Sequence, residues 1–272
     1  MSFLEKYSDT VQRNDSFVCV GLDPDSTKLP GHLKGKSNPT LAFLKEIIAS
    51  TRDIACAYKP NFAFFGAQGI AGWEALRGAI QSIPNDMPIV LDFKAGDIGN
   101  TAEHYAYMAY CQLGVDAVTV NPLMGTDAID PFLTYQNGCA FLLCLTSNPG
   151  SADILRLNTD HGVLYEVLAQ KAVEWSRKGP CGLVVGATHP NDLKTIRAIA
   201  TDLPVLLPGV GTQGGQTNAI VQNGLNNKGS GILVNSSRSI LYASSGTDFA
   251  DAARQSAEDL RQVLNSAKDG KR

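Results

Sequence analysis

Short apolar runs alternate with longer amphipathic ones from one end of the chain to the other. The apolar runs cover residues 17–22, 54–59, 88–93, 117–121, 140–145, 182–186, 205–208 and 231–235. Their residues are β-branched or otherwise apolar, with little polar alternation. That is the pattern of strands buried on both faces. Amphipathic segments fall between them and predict helices over about 39–52, 67–81, 101–113, 127–135, 162–177, 190–200, 213–222 and 248–265. A further helix over 2–12 precedes the first strand. His189-Pro190-Asn191-Asp192 is a favourable helix start, with Pro early and an acid in the first turn.

Eight β–α alternations without a break in composition predict a single (β/α)8 TIM barrel with an extra N-terminal helix, spanning residues 1–267. Residues 268–272 read as a frayed, flexible polar tail. The alternative is a doubly wound sheet. Such a sheet usually has fewer strands and a GxGxxG turn after the first, where this chain has Gly21-Leu22-Asp23-Pro24.

A barrel places its chemistry at the C-terminal ends of its strands. The polar outliers collect there: Asp23 after the first strand, Lys59 ending the second, Asp92, Lys94 and Asp97 at the third, Asn121 at the fourth, Thr146 and Ser147 at the fifth, and Arg238 after the eighth. The densest group is Leu91-Asp92-Phe93-Lys94-Ala95-Gly96-Asp97-Ile98-Gly99-Asn100-Thr101. Asp92 and Lys94 are two apart, so in a strand their side chains point to the same face. Buried charges persist only when paired. With Lys59 the group forms an array of alternating sign, in which each charge can be held by a neighbour and a proton can be kept on Lys94, ready for delivery. A solvated ion-pair cluster would account for a lone Asp-x-Lys, and a snorkelling lysine for Lys59 alone. The combination points to a site.

The net charge of −3 and the absence of a Lys/Arg block argue against nucleic acid or an anionic membrane as partner. The six cysteines have no CxxC or ligand-like spacing and read as small core residues in a reducing compartment. No signal-peptide apolar region opens the chain and no apolar run is long enough for a membrane helix, so a soluble cytoplasmic protein is expected. The four histidines are scattered, and no His/Cys/Asp set has ligand spacing, so no metal or other cofactor is expected.

Two further segments carry weight together. Pro208-Gly209-Val210-Gly211-Thr212-Gln213-Gly214-Gly215-Gln216 follows the seventh strand, and its glycines allow close backbone approach to an anion. Asn235-Ser236-Ser237-Arg238-Ser239 follows the eighth, and the planar fork of Arg238 suits phosphate. Loops after strands seven and eight are the common phosphate site of these barrels. Thr146-Ser147-Asn148-Pro149-Gly150 fits either a turn or a contact to a polar heterocycle, and Pro122-Leu123-Met124-Gly125 either an apolar wall or ordinary packing.

The residues from Gly21-Leu22-Asp23 to Arg238 resemble the orotidine 5′-phosphate decarboxylase family. The most specific element is Asp92-Phe93-Lys94-Ala95-Gly96-Asp97-Ile98-Gly99-Asn100-Thr101. Lys59-Pro60-Asn61-Phe62-Ala63-Phe64-Phe65 and Leu207-Pro208-Gly209-Val210-Gly211 look like its longer, type 2-like subgroup, with an extended segment after strand five. The resemblance implies conversion of orotidine 5′-phosphate to uridine 5′-phosphate without metal or cofactor. It implies that Lys94 protonates C6 as carbon dioxide leaves, and that Asp92 faces the substrate carboxylate between Lys59 and Lys94. It also implies a homodimer in which Asp97, joined by Thr101 near the ribose, reaches the neighbouring subunit's site. Asp23 would bind a ribose hydroxyl and Ser147 the pyrimidine amide edge. Gln213 and Arg238 would bind the 5′-phosphate, with backbone amides near Gly211 and Ser237. Many relatives carry Gly-Arg after strand eight where this chain has Ser237-Arg238; the serine amide can still donate.

Three other functions compete. A hexulose-phosphate synthase type of barrel uses a similar Asp-x-Lys-x-x-Asp but holds magnesium through an acidic residue on strand two, where this chain has Lys59. A Schiff-base aldolase would need Lys59 or Lys94 neutral, and flanking carboxylates oppose that. A phosphate-binding module explains the Gly-rich loop and Arg238 but not the charges on strand three.

Overall fold

The computed structural model describes residues 1–188, 190–209 and 214–270, with the side chains of 214–216 left aside. The eight barrel strands are β1 (Val18–Leu22), β2 (Ala57–Pro60), β3 (Val90–Ala95), β4 (Ala117–Val120), β5 (Cys139–Leu145), β6 (Cys181–Val185), β7 (Val205–Pro208) and β8 (Ile232–Ser236). All neighbouring pairs are parallel, in the order β2-β1-β8-β7-β6-β5-β4-β3. Bridges Tyr58–Ile89 and Asn61–Asp92 join the two ends and close the barrel. The fold is the (β/α)8 barrel expected, and each expected strand is present.

Two apolar layers hold it. The larger lies between strands and helices and takes the outward side chains, such as Val18, Val20, Tyr58, Leu91 and Val118. The smaller fills the barrel's lower interior with Cys19, Ala57, Val90, Ala117, Cys139, Phe141, Val184, Leu206 and Leu233. The N-terminal helix Phe3–Asn14 plugs the bottom of this second layer. Phe3 meets Phe141 edge-on at 5.4 Å, and the Tyr7 hydroxyl donates to the Ile232 carbonyl at 2.8 Å. Ser2 and Glu5 form a reciprocal capping box that starts this helix. The plugged bottom leaves the C-terminal ends of the strands as the open mouth.

Several boundaries differ from the sequence reading. β2 begins at Ala57, because Ile54 and Ala55 donate to the Thr51 carbonyl and so belong to a turn. The expected helix over 67–81 runs Gly69–Ser82, and a short unexpected helix, Phe62–Gly66, precedes it, the two separated where Gly69 takes φ +63°. The helix after β3 starts early, Gly99–Tyr107, and continues as a π-helix over Met108–Leu113. The segment after β5 forms a 3-10 turn, Pro149–Asp153, and a small hairpin, Asn158–Thr159 with Gly162–Val163. A short helix, Arg238–Leu241, follows β8. The last helix runs Phe249–Asp269, and Lys268 Nζ lies 3.1 Å from Asp15 Oδ1. Residues 268 and 269 are therefore helical rather than frayed. His189, the expected start of the helix Pro190–Ile199, lies outside the described residues.

Candidate active site

Strand periodicity builds the site directly above the inner apolar layer. Side chains two positions on from the inner residues point into the same interior, one layer higher. Two residues on from Ala57 is Lys59; from Val90, Asp92; from Ala117, Thr119; from Leu206, Pro208; from Leu233, Asn235. From Cys19 the step leads to Gly21 and then to Asp23 at the mouth. A Cβ on Gly21 would sit 1.9 Å from Ser237 Oγ and 3.0 Å from Asn235 Oδ1, so glycine here makes room for the segment after β8.

The centre is the Asp92 carboxylate. Its Oδ2 accepts from Lys59 Nζ at 2.9 Å and Asn61 Nδ2 at 3.5 Å. Its Oδ1 accepts from Lys94 Nζ at 2.5 Å and Thr119 Oγ1 at 2.9 Å. Lys59 is 2% exposed and Asp92 8%, whereas the Lys94 side chain is 47% exposed and reaches toward the mouth. Burial alone pushes the Asp92 carboxyl up. The ammoniums of Lys59 and then Lys94 outweigh it and hold the group down at about 2. Burial alone would likewise favour a neutral Lys59. Asp92 and Asp23 reverse this and hold its ammonium above the ordinary lysine value.

Asp92 and Lys94 do not meet along a regular strand. Leu91 pairs with Val118 and Ala95 with Val120, so three residues of β3 bulge out opposite Thr119 alone. Lys94 takes φ +49° in that bulge, a left-handed conformation uncommon for a residue with a side chain. Phe93 turns outward and packs edge-on against Tyr105 and Phe132.

Asp23 supplies the fourth charge. Its Oδ1 lies 3.8 Å from Lys59 Nζ, beyond hydrogen-bond reach, and is buried without a hydrogen-bond partner. Asn235 Oδ1 is also buried and unpartnered. Both atoms belong to residues lining a cavity of about 680 Å³, along with Lys59, Asn61, Asp92, Pro208, Gly209, Ser237 and Arg238. The Tyr242 hydroxyl accepts from the Asp25 amide at 2.6 Å and donates to the Asp23 carbonyl at 3.2 Å, fixing the loop that carries Asp23. Two unpartnered acceptor oxygens in the lining suit a ligand with hydroxyl donors. The exposed guanidinium of Arg238 in the same lining suits an anion.

The remaining expected residues divide. Asp97 is not held in the charge array of its own barrel; its Oδ1 accepts from the adjacent Ile98 amide at 2.8 Å. Asp23 lies next to Lys59, 3.8 Å from its ammonium. Thr101 is exposed in the first turn of the helix Gly99–Tyr107, outside the cavity lining. Ser147 is exposed at the end of β5, where its backbone nitrogen would lie 2.6 Å from a Cβ on Gly186. Asn121 caps the 3-10 turn Pro122–Met124 by accepting from the Leu123 amide, which is a structural role. Gly211 and Gln213 lie outside the described residues. Among the described residues, no group of three or more His, Cys, Asp or Glu is placed to hold a metal ion. The sequence reading missed Thr119, Asn61 and Asn235 as contributors. Counting in twos from Ala117 and Leu233 would have found the first and last.

Residues 16–253 match the Orotidine 5'-phosphate decarboxylase / HUMPS family. An orotidine 5'-phosphate decarboxylase of Janthinobacterium sp. (strain Marseille) is 47% identical, covering 97% of this chain and 98% of its own length. One of Cupriavidus metallidurans is 46% identical over 99% of this chain and 100% of its own. The solved structure of Leishmania donovani OMP decarboxylase has 38% sequence identity and a TM-score of 0.87, covering 98% of this chain and 99% of that one. With a barrel of this order and a carboxylate clasped by two lysines at its mouth, the chain belongs to the orotidine 5′-phosphate decarboxylase family.

Proposed function

We propose that this chain decarboxylates orotidine 5′-phosphate to uridine 5′-phosphate at the cavity over β1, β2, β3, β7 and β8, with Lys94 as the proton donor to C6. The observation that carries this is the Asp92 carboxylate, held anionic between Lys59 and Lys94 at the barrel mouth. A substrate carboxylate brought beside Asp92 would face a like charge, and loss of carbon dioxide would relieve it. The C6–carboxylate bond breaks, its electron pair stays on C6, and carbon dioxide leaves. The Lys94 ammonium gives its proton to that carbon and is recharged from water. Fixed charges already in place stabilise the developing carbanion without reorganising.

The rest of the nucleotide follows the cavity. Asp23, with its unpartnered Oδ1, takes a ribose hydroxyl, and Ser147 the pyrimidine amide edge. Arg238 takes the 5′-phosphate beside Pro208 and the Ser237 amide, with Gln213 and the amide near Gly211. Binding energy gathered at the phosphate is then available for the reacting end.

The working unit is a homodimer, and Asp97 and Thr101 serve the partner's site. Support comes from the separation of Asp97 from its own charge array and from the apolar side chains around it. Ile98 is 54% exposed, Leu123 52% and Met124 44%. Exposed apolar side chains grouped in this way mark an interaction surface. The enzyme works in the cytoplasm, without metal, cofactor, nucleic acid or membrane. Among the described residues, no helix is long and apolar enough to cross a membrane. The test is loss of the orotate ultraviolet band when purified protein meets orotidine 5′-phosphate in the presence of a chelator. A stable band refutes the reading.

A further inference from the structure

We propose that Thr119 is a positioning residue for decarboxylation, its hydroxyl locking the β3 bulge and the Asp92 carboxylate into one arrangement. This rests on the roles given above to Lys94 and Asp92.

A bulge leaves backbone groups without their ladder partners. The Lys94 amide is one, and it donates to Thr119 Oγ1 at 3.0 Å. An amide can only donate, so the hydroxyl must receive it on a lone pair. Its single proton is then free to point elsewhere. It points to Asp92 Oδ1, at 2.9 Å. One buried hydroxyl, on a residue 1% exposed, thus holds both the backbone of one charged residue and the side chain of the other.

Packing does not call for that hydroxyl. Thr119 stands between Val118 and Val120 on a strand whose inward neighbour one layer down is Ala117. Valine has the same branched shape and suits a strand equally well. The left-handed turn at Lys94, in contrast, is an uncommon conformation that persists only when its surroundings hold it. Thr119 is the side chain that holds its amide.

The hydroxyl also has a part in the proton transfer. Oδ1 of Asp92 receives Lys94 and Thr119, while Oδ2 receives Lys59 and Asn61. When the Lys94 ammonium gives up its proton, Thr119 is the neutral donor left on Oδ1. It keeps the carboxylate from rotating toward Lys59, so that Lys94 is recharged in place.

The experiment compares Thr119→Val with Thr119→Ser in decarboxylation of orotidine 5′-phosphate and in binding of uridine 5′-phosphate. Thr119→Val should lower kcat by about ten- to a hundredfold, the loss of one hydrogen bond to a charged group. KM and product affinity should stay within about twofold, because the phosphate and ribose contacts are untouched. Thr119→Ser keeps the hydroxyl and should retain kcat within about threefold of the parent. If the valine variant does not fold, Thr119→Ala against Thr119→Ser isolates the hydroxyl, since both lack the methyl. A valine variant with unchanged kcat, a serine variant that falls as far as the valine one, or a loss seen in KM and product affinity instead would each overturn the inference. An active parent beside an unaffected Thr119→Val removes this inference alone. A parent that leaves orotidine 5′-phosphate untouched removes the decarboxylase reading, and this inference with it.

Discussion

The ammonium of Lys94 lies 2.5 Å from Asp92 Oδ1, and it arrives there through a bulge in β3 rather than along an extended strand. The same carboxylate receives buried Lys59 on its other oxygen. The anion is thus enclosed by two cations, only one of which reaches toward the open mouth. That asymmetry assigns different tasks to two chemically identical side chains. Lys59 keeps Asp92 charged. Lys94 can meet a substrate and give up a proton.

Replacing Lys94 by alanine should therefore lower turnover by on the order of a thousandfold, the scale of general acid catalysis, while uridine 5′-phosphate still binds. Steady-state kinetics and a product titration measure both. Residual activity within about tenfold of the parent, roughly 1.4 kcal/mol of barrier, would remove Lys94 as proton donor.

The clasp also makes a statement about stability. The Asp92 carboxyl is held at about 2, below its ordinary 3.8. A carboxyl lowered on folding stabilises the native state above its unfolded value, and that contribution fades as pH falls toward the folded one. From these two values it amounts to about 2 kcal/mol at neutral pH. Denaturant midpoints of the parent and Asp92→Asn should differ by a constant amount through neutrality. The difference should narrow between about pH 4 and pH 2. A gap that does not change over that window would mean the pairing is not its source.

The proposal that Asp97 serves the partner's site predicts that two dead variants should complement one another. Lys94→Ala and Asp97→Ala chains refolded together would give mixed dimers with one doubly damaged site and one intact. Some activity should return. Mixtures that remain as inactive as their parents, with heterodimers shown to form, would rule out the shared site.

Arg238→Ala should lower kcat/KM for orotidine 5′-phosphate by about ten- to a hundredfold, the loss of a charge-assisted contact. It should scarcely affect decarboxylation of the bare nucleoside, which has no phosphate to hold. An equal loss with both substrates would show that Arg238 supports the fold instead.

Activity should survive exhaustive treatment with a metal chelator. Lys59 stands in β2, next to its last residue, where the sugar-phosphate branch of such barrels would need a metal-binding acid. Complete inhibition reversed by magnesium would point to that other chemistry.

Much of this protein could be read from local pattern. Eight apolar runs, bounded by amphipathic ones, determine a parallel sheet wrapped by helices, because a strand buried on both faces must be covered on both; that the sheet closes into a barrel is decided by the bridges Tyr58–Ile89 and Asn61–Asp92. The period of two determines that Lys59 and Asp92 share the interior with Ala57 and Val90, since alternate side chains point the same way whatever the strands' neighbours are. Local pattern is silent where contacts depend on register between strands. That Lys59 meets Asp92 at 2.9 Å depends on β2 closing against β3 through Asn61 and Asp92. The bulge at Lys94 could not be seen in β3 alone, because a bulge exists only relative to the strand it fails to match. Thr119 gained its role in the same way, from β4, 25 residues away from the amide it holds. Asp97 was legible as a charge past the end of the strand; the structure adds that its carboxylate accepts from the neighbouring Ile98 amide. Sequence determined which charges enter the mouth of the barrel. Tertiary structure decided which of them touch, because ion pairs and hydrogen bonds act over a few ångströms and depend on how separate strands align.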